Sequence, residues 1–371
     1  MDRFAGSYDR SLMRAARAAV NEVIAVKRDE RVLVISNPGG DVRELSMAIF
    51  DASLDVGAAP TLMFQREKTQ FQFAEEEVVK AMTARPQVIV SMSKEKLGKD
   101  RWGMKNGYKG RRRYDHIFDL LYGEKKMRGF WSPGTTKDMF RRTVPVDYSM
   151  LRRDCSRVIK TLAGARCVRV TAPGGTDVTL GVRGREARPD DGNYRKPGQA
   201  GNLPSGEVYI SPALGTMNGT IAFDGSIVLH EGEIVIRRPI MTEVTNGLVT
   251  SISGGGEALR LEESVRLGEK HALDAGRRGD LKATLVQSYA RNARSIGELG
   301  IGLNRKARIT ANMLEDEKVY GTCHFAVGSN YDGDAEAMIH LDGLVKKPTI
   351  TVVGSSGREK TLMQSGKLAW E

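Results

Sequence analysis

Apolar positions in the first 160 residues alternate between two spacings. Residues 8–27, rich in Ala and Arg, repeat their apolar side chains at helical spacing and predict an amphipathic helix. Residues 31–36 (RVLVIS) form a short β-branched run that predicts a buried strand. The turn NPGGD at 37–41 follows, its Asp41 suited to cap a helix that runs to about Val56 and stops at Gly57. A strand at 61–64, a helix near 73–83 and a strand at 86–92 continue the alternation. This β-α-β-α-β order predicts a mainly parallel sheet with helices on both faces. The glycines of 37–41 lack the GxGxxG spacing of a dinucleotide loop and read as a tight turn.

After about residue 160 the helical spacing fades. Short strands with Gly-rich turns are expected at 167–171, 177–180, 206–210, 219–223 and 233–236. One helix is expected at 256–273, and strands return around His324, around His340 and at 348–353. The expected fold is an α/β N-terminal domain over 1–163 and a β-rich α+β metal-binding domain over 164–371. The stretch 184–205, with Pro189, Pro197 and Pro204, predicts a long loop of the kind that often serves function.

Composition narrows the function classes. A chain of 371 residues with 40% apolar and 28% charged residues is ordinary for a globular protein. The net charge of +11 raises the question of nucleic acid. The basic residues are dispersed, however, and the one local run at 105–113, near Trp102 and Tyr108, reads as a solvated loop without a nucleic-acid module. Cys155, Cys167 and Cys323 match no disulfide scaffold or metal knuckle, which fits a reducing compartment. The N-terminal residues lack the apolar core of a signal peptide, and no apolar run approaches the roughly 18 residues a membrane span needs. A cytoplasmic protein without membrane or nucleic-acid partners is the expectation.

The candidate chemistry lies in the second half. In IHLD, His340 and Asp342 are two residues apart, so on a strand they share a face and can reach one metal or two adjacent ones. His324 stands in the strand-like GTCHFAVG, and a turn then brings Tyr331 back toward it. A phenol there can ligate a metal weakly or steady an oxyanion. Glu207 follows a Pro-Ser-Gly turn, and Glu298 sits among glycines and apolar residues, where a carboxylate is costly unless paired or metal-bound. Three carboxylates, two imidazoles and a phenol would suit a pair of divalent cations. The charged run 314–318 (LEDEK) reads as a solvated turn or helix start, and His116, His230 and His271 as structural or surface residues. Cys323, beside His324, is a candidate point of oxidation sensitivity.

The strings NLPSGEV, GELGIGLN, GTCHFAVG with Tyr331, and IHLD occur in one order across the C-terminal half. Together they resemble the thermophilic aminopeptidase T family of metalloaminopeptidases, which includes the AmpS and PepS enzymes. That resemblance implies a hydrolase with two divalent ions (zinc, cobalt or manganese) on Glu207, Glu298, His324, Tyr331, His340 and Asp342. It implies Glu298 as bridging carboxylate, Tyr331 as stabiliser of the tetrahedral intermediate, a metal-activated water as nucleophile, a peptide or small amide as substrate, and a homodimer. The chain is shorter than typical members, with a compact Tyr331–His340 segment and a longer stretch between Glu207 and Glu298.

Other readings predict different behaviour. The similar 2,5-dihydroxypyridine dioxygenases hold one ferrous iron, for which His324, His340 and Asp342 would form a two-His, one-carboxylate set. That branch lacks the glutamate of NLPSGEV and has His where Glu298 stands, which favours the hydrolase. An amide hydrolase on a non-peptide substrate would use the same two-metal site. A binding protein acting through 105–113 would lose its partner when Arg111, Arg112 and Arg113 become Glu, and would hydrolyse nothing.

Overall fold

In the computed structural model, described over residue 4, residues 8–69 and residues 72–371, the chain divides into two units. The first comprises residues 1–152 and 190–205, the second residues 153–189 and 206–371. The signal-peptide reading of the first residues falls partly outside the described ones. Among the described residues no helix is long and apolar enough to cross a membrane.

The first unit is α/β. Its five-stranded sheet runs Ala200–Gly201, Arg128–Trp131, Val88–Met92, Arg31–Ser36, Ala59–Phe64, and every pairing is parallel. Val32 through Ile35 are buried in unbroken succession, as a parallel strand covered on both faces requires. One side of this core joins Leu33 and Ile35 to Val78, Met82, Ile89, Leu121 and Met127. Part of the stretch read as a long loop joins this sheet, through Ala200 and Gly201.

Two local expectations are corrected here. The helix at 8–27 is an α-helix only over Arg10–Ala18, and Ala19–Val23 widen into a π-turn. The chain leaves that turn through Ala25 at φ 51, a conformation that needs outside support. Asp41 does not cap the helix Gly40–Asp55; Gly39 does, through extended backbone and without a side-chain bond. Gly40 has φ 69, so the turn reaches the helix before Asp41 arrives. Asp41 lies in the first turn, where its charge suits the positive helix end, and its Oδ2 accepts from Lys137 N at 2.8 Å.

The second unit is β-rich. An eight-stranded sheet is ordered Leu248–Ser253, Ile240–Thr245, Asn218–Phe223, Asp177–Gly181, Ala165–Thr171, Thr349–Gly354, Glu359–Gln364, Lys367–Leu368. A seven-stranded sheet is ordered Gly232–Val235, Ser226–Leu229, His340–Lys346, Thr322–Gly328, Ile296–Gly302, Glu207–Ile210, with a further short strand at its edge. The helix Gly256–Arg278 ends at Gly279 in the left-handed conformation. Four adjacent strands of the seven-stranded sheet carry five of the six candidate ligands, and Tyr331 lies in the loop between Thr322–Gly328 and His340–Lys346.

Candidate metal centre

Antiparallel register decides which side chains meet. Glu298 lies opposite Ala326, and Ala326 opposite Asp342; Gly300 lies opposite His324, Gly328 opposite His340, and Glu207 opposite Gly302. Directly opposed residues share a face, as do residues two apart on a strand. Glu207, Glu298, His324, His340 and Asp342 therefore project to one side. Between them stand Gly300, Gly302, Ala326 and Gly328, whose small side chains leave room for the long ones. A register shift at Gly297 re-aims the strand just before Glu298.

The distances confirm the convergence. His340 Nε2 lies 3.3 Å from Glu298 Oε2 and 3.3 Å from Asp342 Oδ1. His324 Nε2 lies 3.4 Å from Glu298 Oε1 and 3.5 Å from Glu207 Oε2. His340 Nδ1 is 2.8 Å from the carbonyl of Ser329, which can only accept, so Nδ1 carries the proton and Nε2 is left to face the carboxylates. Tyr331 lays its ring against His340, with centroids 5.2 Å apart, and against Tyr209, at 5.1 Å. Arg188 donates to the Tyr331 carbonyl at 3.0 Å and to Asp332 at 2.6 Å, and Arg185 donates to Asp332 and Asp334, so two guanidiniums hold the loop that carries this ring.

The run 314–318 is not solvated. Glu315, Asp316 and Lys318 are buried, and Lys318 is 0% exposed. Its Nζ lies 2.5 Å from Glu207 Oε1 and 2.5 Å from Glu317 Oε1. Glu317 and Lys318 are thus members of the site that sequence reasoning missed. The available signal was a four-residue charged run only six residues from His324 in an apolar strand, which a surface turn does not explain.

Three donor sets have ligand atoms within 4.8 Å of one another: Glu298–His340–Asp342, Glu207–Glu298–His324 and Glu317–His324–Asp342. No set among the described residues contains both imidazoles, so the expected grouping of His324, His340 and Asp342 is not formed as the side chains stand.

Electrostatics favour a cation here. Burial alone would raise Glu298, but hydrogen bonds from His324 and His340 hold it down to about 2. Burial pushes Glu207 up to about 8 against the pull of Lys318. Burial would lower His324, yet Glu298 and Glu207 raise it to about 9; His340 is likewise raised by Asp342 and Glu298. The imidazoles take up protons because the carboxylates need positive charge, which a divalent ion would supply while releasing those protons. Glu207 Oε2, His324 Nδ1 and Asp342 Oδ1 are buried without a well-aligned hydrogen-bond partner among the described residues. Imidazole and carboxylate donors suit iron, manganese and zinc alike, so the residues fit a divalent metal. Burial and the carboxylates also raise the Tyr331 phenol, although 54% of that residue is exposed. Cys323 faces the other side of the sheet and burial pushes its thiol up, which makes it an inert neighbour.

A family profile described as 2,5-dihydroxypyridine 5,6-dioxygenase (NicX) matches residues 134–365, well over half of the chain. The chain belongs to this dioxygenase family. Membership overturns the reading of the chain as a hydrolase, metallopeptidase or aminopeptidase; of the expected metal pair, what stands is a cluster of carboxylates and imidazoles that could hold metal. The six candidate ligands had suggested hydrolysis because a glutamate stands at 207 and at 298; Lys318 pairs with the first of these. Two solved structures share the fold. The 2,5-dihydroxypyridine dioxygenase from Pseudomonas putida superposes with a TM-score of 0.72 at 17% identity, covering 98% of this chain and 99% of that one. AmpT from Thermus thermophilus gives a TM-score of 0.63 at 14% identity, covering 97% and 99%. The likeness to aminopeptidase T therefore holds at the level of fold. No curated protein matches the chain by sequence.

One prediction about this dioxygenase-family site follows from Gly300. A Cβ there would stand 2.0 Å from both Cε1 and Nε2 of His324. Gly300→Ala must therefore push the imidazole aside. Metal affinity is expected to fall about tenfold to hundredfold, the range seen when a ligand's surroundings are disturbed. Equilibrium dialysis against a divalent ion checks this, and unchanged affinity would mean that the position of His324 does not matter to the metal.

Proposed function

We propose that this chain opens the ring of a hydroxylated pyridine with dioxygen, using one bound ferrous iron. The observation that carries the reading is the surroundings of the Glu298–His340–Asp342 set: a mixed nitrogen and oxygen donor set beside an aromatic wall made by Tyr331 and Tyr209. Family membership supports the same chemistry. His340 Nε2, Asp342 and Glu298 would hold the iron, which when bound supplies the redox chemistry that lets dioxygen react with an electron-rich ring.

The rest is the work of the chain's own residues. Ser329 holds His340 in the tautomer that presents Nε2. His324 keeps its proton on Nε2 toward Glu298 Oε1, which occupies that oxygen and orients the carboxylate. The exposed ring of Tyr331 offers a flat apolar face on which a planar substrate can stack, an arrangement worth about 0.5–1.5 kcal/mol beyond simple burial.

The test is oxygen consumption by anaerobically purified protein loaded with ferrous iron and given 2,5-dihydroxypyridine. Iron-dependent uptake with loss of the pyridine absorbance is expected, at about one iron per chain. A chelator should abolish uptake and added ferrous iron restore it. Iron-loaded protein that consumes no oxygen with any dihydroxypyridine would refute the reading.

A further inference from the structure

Lys318 is buried beside a metal site, yet the dioxygenase reading gives it no part in the chemistry. Its Nζ lies 2.5 Å from one oxygen of Glu207 and 2.5 Å from one oxygen of Glu317. Those two carboxylates define two of the three donor sets, Glu207–Glu298–His324 and Glu317–His324–Asp342. The third set, Glu298–His340–Asp342, contains neither. One ammonium thus engages a member of each alternative set, taking Glu207 through Oε1 while its Oε2 faces His324, and it touches no carboxylate of the third set in these contacts.

We propose that Lys318 is a resident cation standing in for a second metal ion, so that a cluster with donors for two ions takes only one. The inference rests on the single-iron reading above and explains how a site that retains Glu207 stays mononuclear. A divalent ion bound to Glu207 or Glu317 would sit about 2.0–2.2 Å from a carboxylate oxygen. The ammonium already contacts an oxygen of each. The two cations would be in near contact in a buried space, where water screens their repulsion little. In the sequence the lysine follows directly on Glu317, so one residue supplies the extra carboxylate and the next neutralises it.

The test is the number of manganese ions bound per chain, measured with Mn²⁺ alone by equilibrium dialysis and elemental analysis. Wild-type protein is expected to saturate at about one ion and Lys318→Met at about two. The manganese pair in the variant should also show the exchange-coupled electron-paramagnetic-resonance signal of two close ions, which a merely loosened structure would not produce. A Lys318→Met protein that folds and still binds one ion overturns the proposal, as does wild-type protein that binds two. Because the lysine is buried, Glu207→Gln and Glu317→Gln supply evidence that does not depend on the folding of Lys318→Met. Each should keep the single ion at affinity within about threefold of wild type, since neither side chain belongs to the third set. Loss of the ion in either variant refutes the proposal. The function reading fails separately: one ion in wild type and two in Lys318→Met, with no oxygen uptake by the iron form, would leave the role of Lys318 standing and remove the dioxygenase activity.

Discussion

Replacing His340 by alanine is expected to strip the bound metal and lower ring cleavage by more than about a hundredfold, which is the upper end of the cost of losing a group that only orients a ligand. His340 is placed to do more than orient. Its Nε2 faces Glu298 and Asp342 at 3.3 Å each, and it is the only imidazole in that donor set. Without it two carboxylates remain, and oxygen donors alone favour magnesium or calcium over iron. The change also removes the ring against which Tyr331 packs, so the aromatic wall loosens at the same step. The fold should survive, because His340 is half-buried at the start of its strand and its neighbours Leu341 and Leu344 keep the core. Iron content, oxygen uptake and far-ultraviolet circular dichroism measured on one preparation decide the matter. A folded variant that keeps both its iron and its activity would remove His340 from the site.

Arg128→Met is expected to destabilise the protein by about 3–5 kcal/mol, the cost of removing one partner from a buried ion pair. Arg128 is 3% exposed at the start of the strand next to the edge of the parallel sheet. Its Nη1 lies 2.9 Å from Glu30 Oε1 and its Nη2 2.5 Å from Oε2, while Nε and Nη2 donate to the carbonyls of Ile24 and Ala25. Those carbonyls lie where the π-turn ends and Ala25 takes its left-handed conformation. Methionine keeps the apolar stem but leaves Glu30 without its guanidinium and two carbonyls without donors. The effect depends on pH with a definite sign. Burial tends to raise Glu30, but the bond from Arg128 and the pair's charge hold it below its ordinary value. A depressed carboxylate contributes stability above its unfolded value of about 4.3 and loses it as pH falls through the folded value. The gap between wild type and variant should therefore be full at neutral pH and narrow in acid. Denaturant midpoints at both pH values check this, and a neutral-pH loss under about 1 kcal/mol would contradict it.

The likeness to aminopeptidase T illustrates why shared ligand types do not name a reaction. Glu207, Glu298, His324, His340 and Asp342 do converge, as their strand positions suggested. Convergence follows from the strand register. The reaction depends on which of these groups remain free to bind a metal, and Lys318 changes that through a contact made by a residue 111 positions from Glu207. The Leu-Glu-Asp-Glu-Lys run looked like a solvated turn because charge usually seeks water. Here its carboxylates find partners inside: Glu315 accepts from Arg308 N, and Asp316 accepts from Thr310 and Ala311.

Several features were set by the sequence alone. The strand at 31–36, the helix beginning near 40 and five of the eight strands between 165 and 236 follow from periodicity and turn residues, which act over a few neighbours. That His340 and Asp342 share a face needs only that they lie two apart on a strand. The tertiary structure decided the rest. It placed Glu298 between two imidazoles through the pairing of three strands, laid Tyr331 on His340 through a loop held by Arg185 and Arg188, and buried Lys318 between two glutamates. These are contacts between residues distant in the chain, and their energies depend on burial and partner geometry that no local pattern encodes.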